Sequence, residues 1–248
     1  MINADIKLVK GENDLYYLSL GNMSDAEYDE VKPIVEHLNG HWRERYGCFV
    51  FGEDVSELLL EALCYGVDIS EDYRWREENQ FYPTPMRVAK RVVELAEVEN
   101  GMSILEPSAG TGNLLDCLPK GDYFISCIEP MTMNCEVLKK KGYMVNQGTF
   151  EDAYNKLPLF DRVIMNPPFS GQRDIKHVTM AYHLLKPGGV LCAVISENAL
   201  YYKTEVTENF KSFLKDINAY VEPVPSCSFE ESGTTIETVL IKLRKRVD

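Results

Sequence analysis

From about residue 85 onward, short runs rich in valine and isoleucine alternate with amphipathic helical patterns. The runs SILEP, YFISCIE, FDRVIM and VLCAVIS predict buried strands, and a helical pattern lies between each run and the next. Since parallel strands need a crossover connection, this alternation predicts an α/β fold with a doubly wound, mostly parallel sheet. AYVEPVP and TVLIKL predict a closing hairpin with an antiparallel last strand. Ligands of such sheets bind beyond the carboxyl ends of the strands.

A charged and then proline-punctuated stretch, ISEDYRWREENQFYPTP, separates two predicted domains. We expect a small α+β module in residues 1–75 and the main domain in residues 76–248. In the module, Ser24 and Glu27 predict a capping box at the start of a helix, and Pro33 is expected to kink or split that helix. The other elements predicted there are a strand at YYLSL, a hairpin at HWRERYGCFVF and a helix at DVSELLLEAL.

The net charge of −13 lies mostly at the beginning of the chain. Residues 1–80 hold 18 acidic and 7 basic side chains, whereas residues 81–248 hold 21 and 19. Phosphate contact depends on the local field, so this balance argues against tight non-specific DNA binding and leaves a DNA substrate open. No apolar run approaches the ~20 residues that span a bilayer, and the first residues lack the apolar region of a secretory signal, so a cytoplasmic protein without membrane contact is expected.

The cysteines and histidines predict neither a disulfide framework nor a metal site. The seven cysteines are scattered with no C-x-x-C spacing, and the four histidines form no H-x-x-x-H pair. We therefore expect free thiols, several of them buried, and no bound metal.

A glycine-rich turn, Glu106 to Asn113 (EPSAGTGN), follows the strand SILEP and precedes a predicted helix. Glycine admits positive φ and lets the backbone approach a ligand, although a tight βα turn remains an alternative. Leu115 stands where a dinucleotide motif has its third glycine, which argues against NAD. The acidic first residue, Glu106, suits a cationic or amine-bearing ligand.

Glu129 ends the next predicted strand, 19 residues after Gly110. An acidic side chain at this place can accept hydrogen bonds from the ribose hydroxyls of an adenosine. The alternative is a solvated surface group.

Asn166, Pro167, Pro168 and Phe169 follow the strand FDRVIM. The alternative to a functional role is an Asn-Pro turn. The asparagine oxygen and a proline-fixed carbonyl can both accept hydrogen bonds from one planar NH₂ group, which aims the nitrogen lone pair at an electrophile. The aromatic ring can stack on the flat group that bears the nitrogen. Since asparagine is a poor base, such a site works by orientation.

These residues resemble the S-adenosylmethionine-dependent amino-methyltransferases, in particular the DNA adenine-N6 methyltransferases. EPSAGTG is similar to their first cofactor motif, NPPF to their catalytic motif and FYPTP to the segment that precedes the cofactor motif in the gamma arrangement. The resemblance implies a Rossmann-like class I methyltransferase sheet and S-adenosyl-L-methionine as cofactor. The residues that it implies as cofactor contacts are Tyr82, Thr84, Glu106, Ser108, Ala109, Gly110, Gly112, Glu129, Pro130, Phe150, Asp152 and Asn166.

The same resemblance assigns the substrate side of the site. The catalytic residues that the family motif implies are Asn166, Pro167, Pro168 and Phe169. Phe169 and Phe229 would stack on a flipped base, and Arg173 would contact phosphate unless it is only a solvated helix start. On the cofactor side, many relatives carry an acid after the third strand that contacts the cofactor adenine, and here Phe150 would instead stack on that adenine.

The expected function is site-specific methylation of adenine N6 in DNA, with restriction-modification as the context. Residues 18–51 resemble a module found in front of such enzymes on phages and mobile elements. Target readout is expected from residues 1–80, from loops at 170–176 and 198–206, or from a partner subunit or homodimer. The alternatives are a methyltransferase acting on protein glutamine or ribosomal RNA, and a catalytically silent cofactor-binding subunit.

Overall fold

Two compact units divide the chain, residues 1–77 and residues 78–248. The computed structural model describes residues 6–11, 15–38, 40–52, 83–225, 228–229 and 236–247, together with positions 55, 59 and 63. Within these residues, no helix combines the length and the apolar character that crossing a bilayer requires.

The continuously described part of the first unit, up to residue 52, forms a four-stranded antiparallel sheet and a helix. The sheet has the order β1-β2-β4-β3. Its elements are β1 (Ile6–Lys10), β2 (Tyr16–Leu20), α1 (Asp25–His37), β3 (His41–Arg43) and β4 (Cys48–Phe51). The strand at YYLSL, the hairpin and the capping box are confirmed: Ser24 Oγ accepts from Glu27 N at 3.3 Å, and Ser24 N donates to Glu27 Oε2 at 2.9 Å. The helix expected at DVSELLLEAL falls almost wholly outside the described residues.

The second unit contains a seven-stranded sheet. Its strands are β5 (Ser103–Glu106), β6 (Phe124–Glu129), β7 (Val145–Gln147), β8 (Phe160–Met165), β9 (Leu185–Ser196), β10 (Tyr220–Pro223) and β11 (Thr238–Arg244). The order is β10-β11-β9-β8-β5-β6-β7, with β5 to β9 parallel and β11 antiparallel to both of its neighbours. The strand order reverses at β5, so the crevice expected for a ligand lies beyond the ends of β5 and β8.

Six α-helices in the described part of this unit connect the strands. They are α2 (Met86–Ala96), α3 (Thr132–Lys140), α4 (Phe150–Ala153), α5 (Arg173–His183), α6 (Asn198–Tyr201) and α7 (Glu205–Asp216). Alternate residues of β9 enter two separate apolar cores: Leu191 packs with α5 and α7, and Cys192 packs with α2. Helices therefore cover both faces of the sheet, and the predicted doubly wound fold with an antiparallel last strand is confirmed.

Three details of the prediction are wrong. Helix α1 continues through Pro33 as one helix, so the expected split is wrong; Val31 and Val35, on either side of the proline, are fully buried. The helix expected at NLLDCL is only a 3₁₀ turn at Leu115–Cys117, since Pro119 forces the preceding residue into extended backbone.

The third correction concerns the segment Lys186-Pro187-Gly188-Gly189. Its proline and glycines are typical of the stop of a helix at DIKHVTMAYHLL, but α5 already ends at His183 and the segment lies inside β9. A Cβ on Gly189 would lie 2.9 Å from the carbonyl oxygen of Lys186, so only glycine fits this bend of the strand.

Candidate active site

The glycine-rich turn after β5 is fastened to the neighbouring strand β6. Gly110 N donates to Glu129 Oε2 at 2.7 Å, and Ala109 N donates to the carbonyl oxygen of Ile128 at 3.0 Å. Gly112 has φ +94°, and a Cβ there would lie 2.9 Å from Leu138 Cδ2. The turn therefore needs glycine at this position both for its backbone angle and for its close packing.

Glu129 is buried at the end of β6, with 2% of its surface exposed, so the alternative of a solvated surface group is wrong. Its Oε1 accepts from Met131 N at 2.9 Å and from Asn134 Nδ2 at 3.2 Å. Together with the bond from Gly110, these contacts fix the carboxylate where the turn and the start of α3 meet.

Glu106 ends β5 and is fully buried. Its Oε1 accepts from Ser108 N at 3.2 Å, while its Oε2 has no hydrogen-bond partner among the described residues. Burial raises the pKa of this carboxyl well above its usual range, and the nearby charge of Glu129 raises it further. A second acidic group thus lies beneath the glycine turn at a high desolvation cost.

Asn166 follows β8 and faces the same crevice. Its Nδ2 donates to Thr84 Oγ1 at 3.0 Å, and Ser108 Oγ donates to its backbone oxygen at 3.3 Å. Asn113 Nδ2 donates to the carbonyl oxygen of Thr84 at 2.9 Å. The bond from its amide nitrogen to Thr84 holds the Asn166 side chain at the wall of the cleft, with its amide oxygen buried.

A small cleft joins these segments into one site. Its walls come from three places that are distant in the sequence: the segment before α2, the glycine turn and the end of β8. The residues that line it are Pro83, Thr84, Ser108, Ala109, Gly110, Thr111, Asn113 and Asn166. The structure therefore brings together most of the residues predicted for the glycine turn and Asn166, with Thr84 between them.

The predicted residues Pro130, Phe150 and Asp152 do not line this cleft. Tyr82 is outside the described residues, and Pro130 is half-buried directly after β6. Phe150 is buried in the core, with its ring edge-to-face against Tyr154 and His177 at 5.9 and 5.4 Å between centroids. Asp152 accepts from Thr149 Oγ1 at 2.6 Å in the first turn of α4.

The two aromatic residues predicted to stack on the substrate, Phe169 and Phe229, lie in different environments. Phe229 is 2% exposed and packs in the core that contains Val88 and Leu240, and this burial removes it from the surface on which a base could stack. Phe169 is half-buried and lines a second cavity beside the cleft. Arg173 begins α5 and makes no salt bridge with the described part of the chain.

The sequence analysis missed Asp174, which is 2% exposed at the start of α5. Its Oδ1 accepts from Ile175 N at 2.9 Å, and its Oδ2 accepts from Ser196 N at 3.1 Å, so it ties the loop after β8 to the end of β9. Burial raises the pKa of Asp174 to about 6. No sequence signal distinguishes this acid from the charged residues around it, since its role depends on a contact with a distant strand.

The loop after Phe169 stores backbone strain. Gln172 has φ +59°, in the left-handed region that is uncommon for a non-glycine residue. Its Nε2 donates to Thr204 Oγ1 at 3.1 Å and to Thr207 Oγ1 at 3.0 Å, which holds the loop against the start of α7.

Across the described residues, no group of three or more metal-ligating side chains is arranged to bind an ion.

No family model matches the chain. It is 35% identical over 97 residues to Probable ribosomal RNA small subunit methyltransferase A of Thermococcus sibiricus, a match that covers 38% of this chain and 36% of that protein. It is 24% identical over 187 residues to Defense against restriction protein B of Escherichia phage P1, covering 66% of this chain and 8% of that protein. The matches thus span about a third of the first relative and less than a tenth of the second.

Solved structures resemble the chain at low sequence identity. A Listeria monocytogenes protein described as a class I S-adenosylmethionine-dependent methyltransferase has a TM-score of 0.53 at 15% identity, over 77% of this chain and 66% of that one. A modification subunit ascribed to a type I restriction enzyme of Vibrio vulnificus gives 0.54 at 16%, over 78% and 50%. The M protein of the type I restriction enzyme EcoKI gives 0.51 at 15%, over 90% and 55%. Together with the strand order, these likenesses show that the chain has the class I S-adenosylmethionine-dependent methyltransferase fold.

Proposed function

We propose that this chain transfers a methyl group from S-adenosyl-L-methionine to the exocyclic N6 amine of adenine in DNA, at specific sites. The observation that carries the proposal is Asn166, whose amide is fixed by Thr84 at the edge of the cleft formed by the glycine turn. Two acceptors at one rigid corner, the Asn166 amide oxygen and the Pro167 carbonyl, suit a planar NH₂ group.

The residues of the crevice fit the proposed methyl donor. Its adenosine ribose would lie at Glu129, and Glu106 offers a buried carboxyl oxygen without a described partner beneath the turn over which the cationic donor would lie. Gly112 keeps the turn close-packed, which leaves its outer side to the ligand. When bound, the donor supplies an electrophilic methyl group on its sulfonium.

In the proposed reaction the chain acts mainly by orientation. Asn166 and Pro167 hold both hydrogens of the target amine, and Phe169 stacks on its ring, so the nitrogen lone pair faces the donor. The amine loses its surplus proton to water after the transfer, because no described side chain at this corner is a suitable base. A target adenine must first leave the duplex, at a cost of about a few kcal/mol of unstacking.

The relatives give further support. Two similar structures are type I modification proteins, and the phage relative has a name that refers to defence against restriction. We therefore propose a role in DNA modification, with DNA as substrate and a partner subunit or a second copy of the chain for target readout.

A second candidate is methylation of an amino group in ribosomal RNA. The specific observation that favours it is the 35% identity to the ribosomal RNA methyltransferase of Thermococcus sibiricus. Methylation of protein glutamine also suits an acceptor for a planar NH₂ group, and a catalytically silent donor-binding subunit is the remaining alternative.

One experiment separates these candidates. The chain is incubated with tritiated S-adenosyl-L-methionine and, in parallel, with amplified and hence unmethylated bacterial DNA, total RNA and a protein extract. Label in DNA, found as N6-methyladenine, is expected. Label only in RNA or only in protein would contradict the DNA proposal, and donor binding without transfer to any of the three would identify a silent subunit.

The catalytic assignment has its own test. Asn166→Ala should reduce transfer by at least about 100-fold, because the amine loses its positioning group, while calorimetry detects nearly unchanged donor binding. Asn155→Ala, at an exposed asparagine of the turn Tyr154–Lys156, serves as the matched control. Full activity of Asn166→Ala would contradict the assignment.

A further inference from the structure

Asp174 is a buried acid that the proposed reaction does not use. It is the second residue of α5, close to the carboxyl ends of β8 and β9, and it is almost fully buried. Its Oδ1 accepts from Ile175 N at 2.9 Å and so satisfies a free N–H at the start of the helix. Its Oδ2 accepts from Ser196 N at 3.1 Å, on another strand, and the start of a helix does not require this second bond. Helix capping therefore accounts for only one of the two contacts.

The strand end that receives this second contact is held in place. Ser196 is the last residue of β9, it is buried, and it pairs with Thr238 of β11. Its Oγ accepts from Asn198 N at 3.2 Å, which fixes the chain as it leaves the strand. Asp174 thus fastens the start of α5 to a part of the sheet that is itself anchored on both sides.

A short path joins Asp174 to the aromatic ring of Phe169. The residues Ser170–Gln172 form a single 3₁₀ turn, which Arg173 N closes by donating to the carbonyl oxygen of Ser170. Phe169 directly precedes this turn, and α5 directly follows it. Because the turn is closed by its own hydrogen bond, a shift at the start of α5 would move Phe169 as well.

The backbone of this turn needs support from outside. Gly171 and Gln172 have φ +63° and φ +59°, so two consecutive residues lie in the left-handed region and one of them is not glycine. Such strain persists only where the surrounding contacts over-determine the conformation. The side-chain bonds of Gln172 to the start of α7 and the bond of Asp174 to Ser196 supply this support. Without the second of them, the turn could relax and displace Phe169.

An ionised acid suits this place better than the amide of the same shape. Both partners of the Asp174 side chain are N–H groups, and a carboxylate has two acceptor oxygens. An asparagine has only one acceptor oxygen and would turn its NH₂ group toward the other N–H. The acid is present although burial raises the pKa of Asp174, so its desolvation indicates a role beyond stability.

We propose that Asp174 is a positioning residue for methyl transfer: by fastening the start of α5 to the end of β9, it holds Phe169 where the ring of the target can stack on it. This inference rests on the proposed function. Asp174 acts through Phe169 and contacts neither the donor nor the substrate. It is not among the residues that line the cleft, so donor binding should not depend on it.

The first test compares two Asp-to-Asn substitutions at pH 7.5. In Asp174→Asn, kcat for tritium transfer to amplified bacterial DNA should fall about 10-fold, because the stacking ring loses its fixed position. Donor affinity, measured by calorimetry, should stay within about 2-fold, and the unfolding temperature should not fall, because a buried charge is removed. Asp216→Asn is the matched control: Asp216 is exposed at the end of α7, so this variant should behave like the unchanged chain in all three measurements.

Hydrogen exchange tests the position of the loop without any acceptor. In Asp174→Asn, the backbone amides of residues 169–172 should exchange about 10-fold faster, because local opening of the turn becomes easier. The amides of α2, on the other face of the sheet, should exchange at the same rate in both proteins and serve as the internal reference.

The outcomes separate this inference from the proposed function. If the unchanged chain methylates DNA and Asp174→Asn has the same kcat as Asp216→Asn, the positioning role is wrong while the function stands. A lower unfolding temperature together with weaker donor binding would show a purely structural role and would also overturn the inference. If the acceptor is RNA, the same series is measured on RNA, and a selective loss of kcat in Asp174→Asn supports the inference although the DNA proposal fails. If the acceptor is protein, or if nothing is methylated, both are overturned.

Discussion

The two edges of the seven-stranded sheet treat their acidic side chains in opposite ways. At the amino-terminal edge, Asp161 accepts from Ser103 N at 2.9 Å and from Lys186 Nζ at 2.7 Å. Burial would raise its pKa, but these bonds outweigh burial and lower the pKa to about 2. Hydrogen bonds from Lys242 and Arg244 likewise lower the pKa of Glu97.

At the carboxyl-terminal edge, where the candidate site lies, burial dominates for two acids, Glu106 and Asp174. It raises the pKa of Glu106 well above the usual range and that of Asp174 to about 6, because backbone N–H groups alone do not offset the lost hydration. The comparison indicates that Asp161 and Glu97 stabilise the fold at one edge, whereas Glu106 and Asp174 are buried at the other edge at a desolvation cost, as expected of a binding site.

The largest expected effect tests the stabilising edge. Asp161→Ala removes the acceptor of Ser103 and Lys186 and should lower the free energy of unfolding by about 2 kcal/mol, as measured by urea denaturation. Donor affinity should not change, since the residue lies at the opposite end of the strands from the cleft. A stability equal to that of the unchanged chain would remove the contrast between the edges.

Glu106→Gln tests the desolvation cost at the carboxyl-terminal edge of the sheet. The substitution keeps the shape and replaces a fully buried acid by a neutral amide, so the free energy of unfolding at neutral pH should be unchanged or higher. Affinity for S-adenosyl-L-methionine should fall about tenfold, because glutamine cannot ionise and therefore cannot accept a charge-assisted hydrogen bond from the donor. A clear loss of stability would mean that Glu106 supports the fold rather than the site.

The raised pKa of Asp174 predicts how the free energy of unfolding changes with pH. Its folded pKa of about 6 exceeds the usual 3.8, so its contribution to stability is fully present below pH 3.8 and is lost as the pH rises through about 6. On going from pH 7.5 to pH 5, the unchanged chain should gain about 1 kcal/mol relative to Asp174→Asn. Parallel curves of stability against pH would contradict the raised pKa.

The smallest effect sets the baseline for an exposed charge. Lys211 pairs with Glu208 across one turn of α7 at 3.1 Å, and both side chains are exposed. Lys211→Ala should change the free energy of unfolding by less than about 0.5 kcal/mol. A larger change would show that exposed ion pairs contribute as much to stability as the contacts of Asp161. The contrast between the two edges of the sheet would then not be supported.

The sequence predicted the fold well where the pattern is local. Apolar runs such as FDRVIM and VLCAVIS are long enough to identify strands, and their alternation with helices determines the sheet type. The glycine turn and Asn166 were found because each directly follows such a strand. Parallel strands bring these ends to one edge, so the cleft could be predicted from their positions alone.

Features that depend on packing between distant segments could not be predicted. The burial of Phe229 arises from its contacts with α2 and β11, and the role of Asp174 arises from its bond to Ser196. The left-handed backbone of Gln172 is held by the start of α7, more than thirty residues away. No local pattern in the sequence carries information about such contacts.

The bond between Gly110 N and Glu129 Oε2 has a consequence for affinity. Oε1 accepts two further N–H groups, from Met131 and Asn134, so three of the about four acceptor sites of this carboxylate are occupied within the protein. If the proposed donor lies here, its ribose diol meets a carboxylate with little remaining acceptor capacity, and we expect Glu129 to add only modestly to affinity.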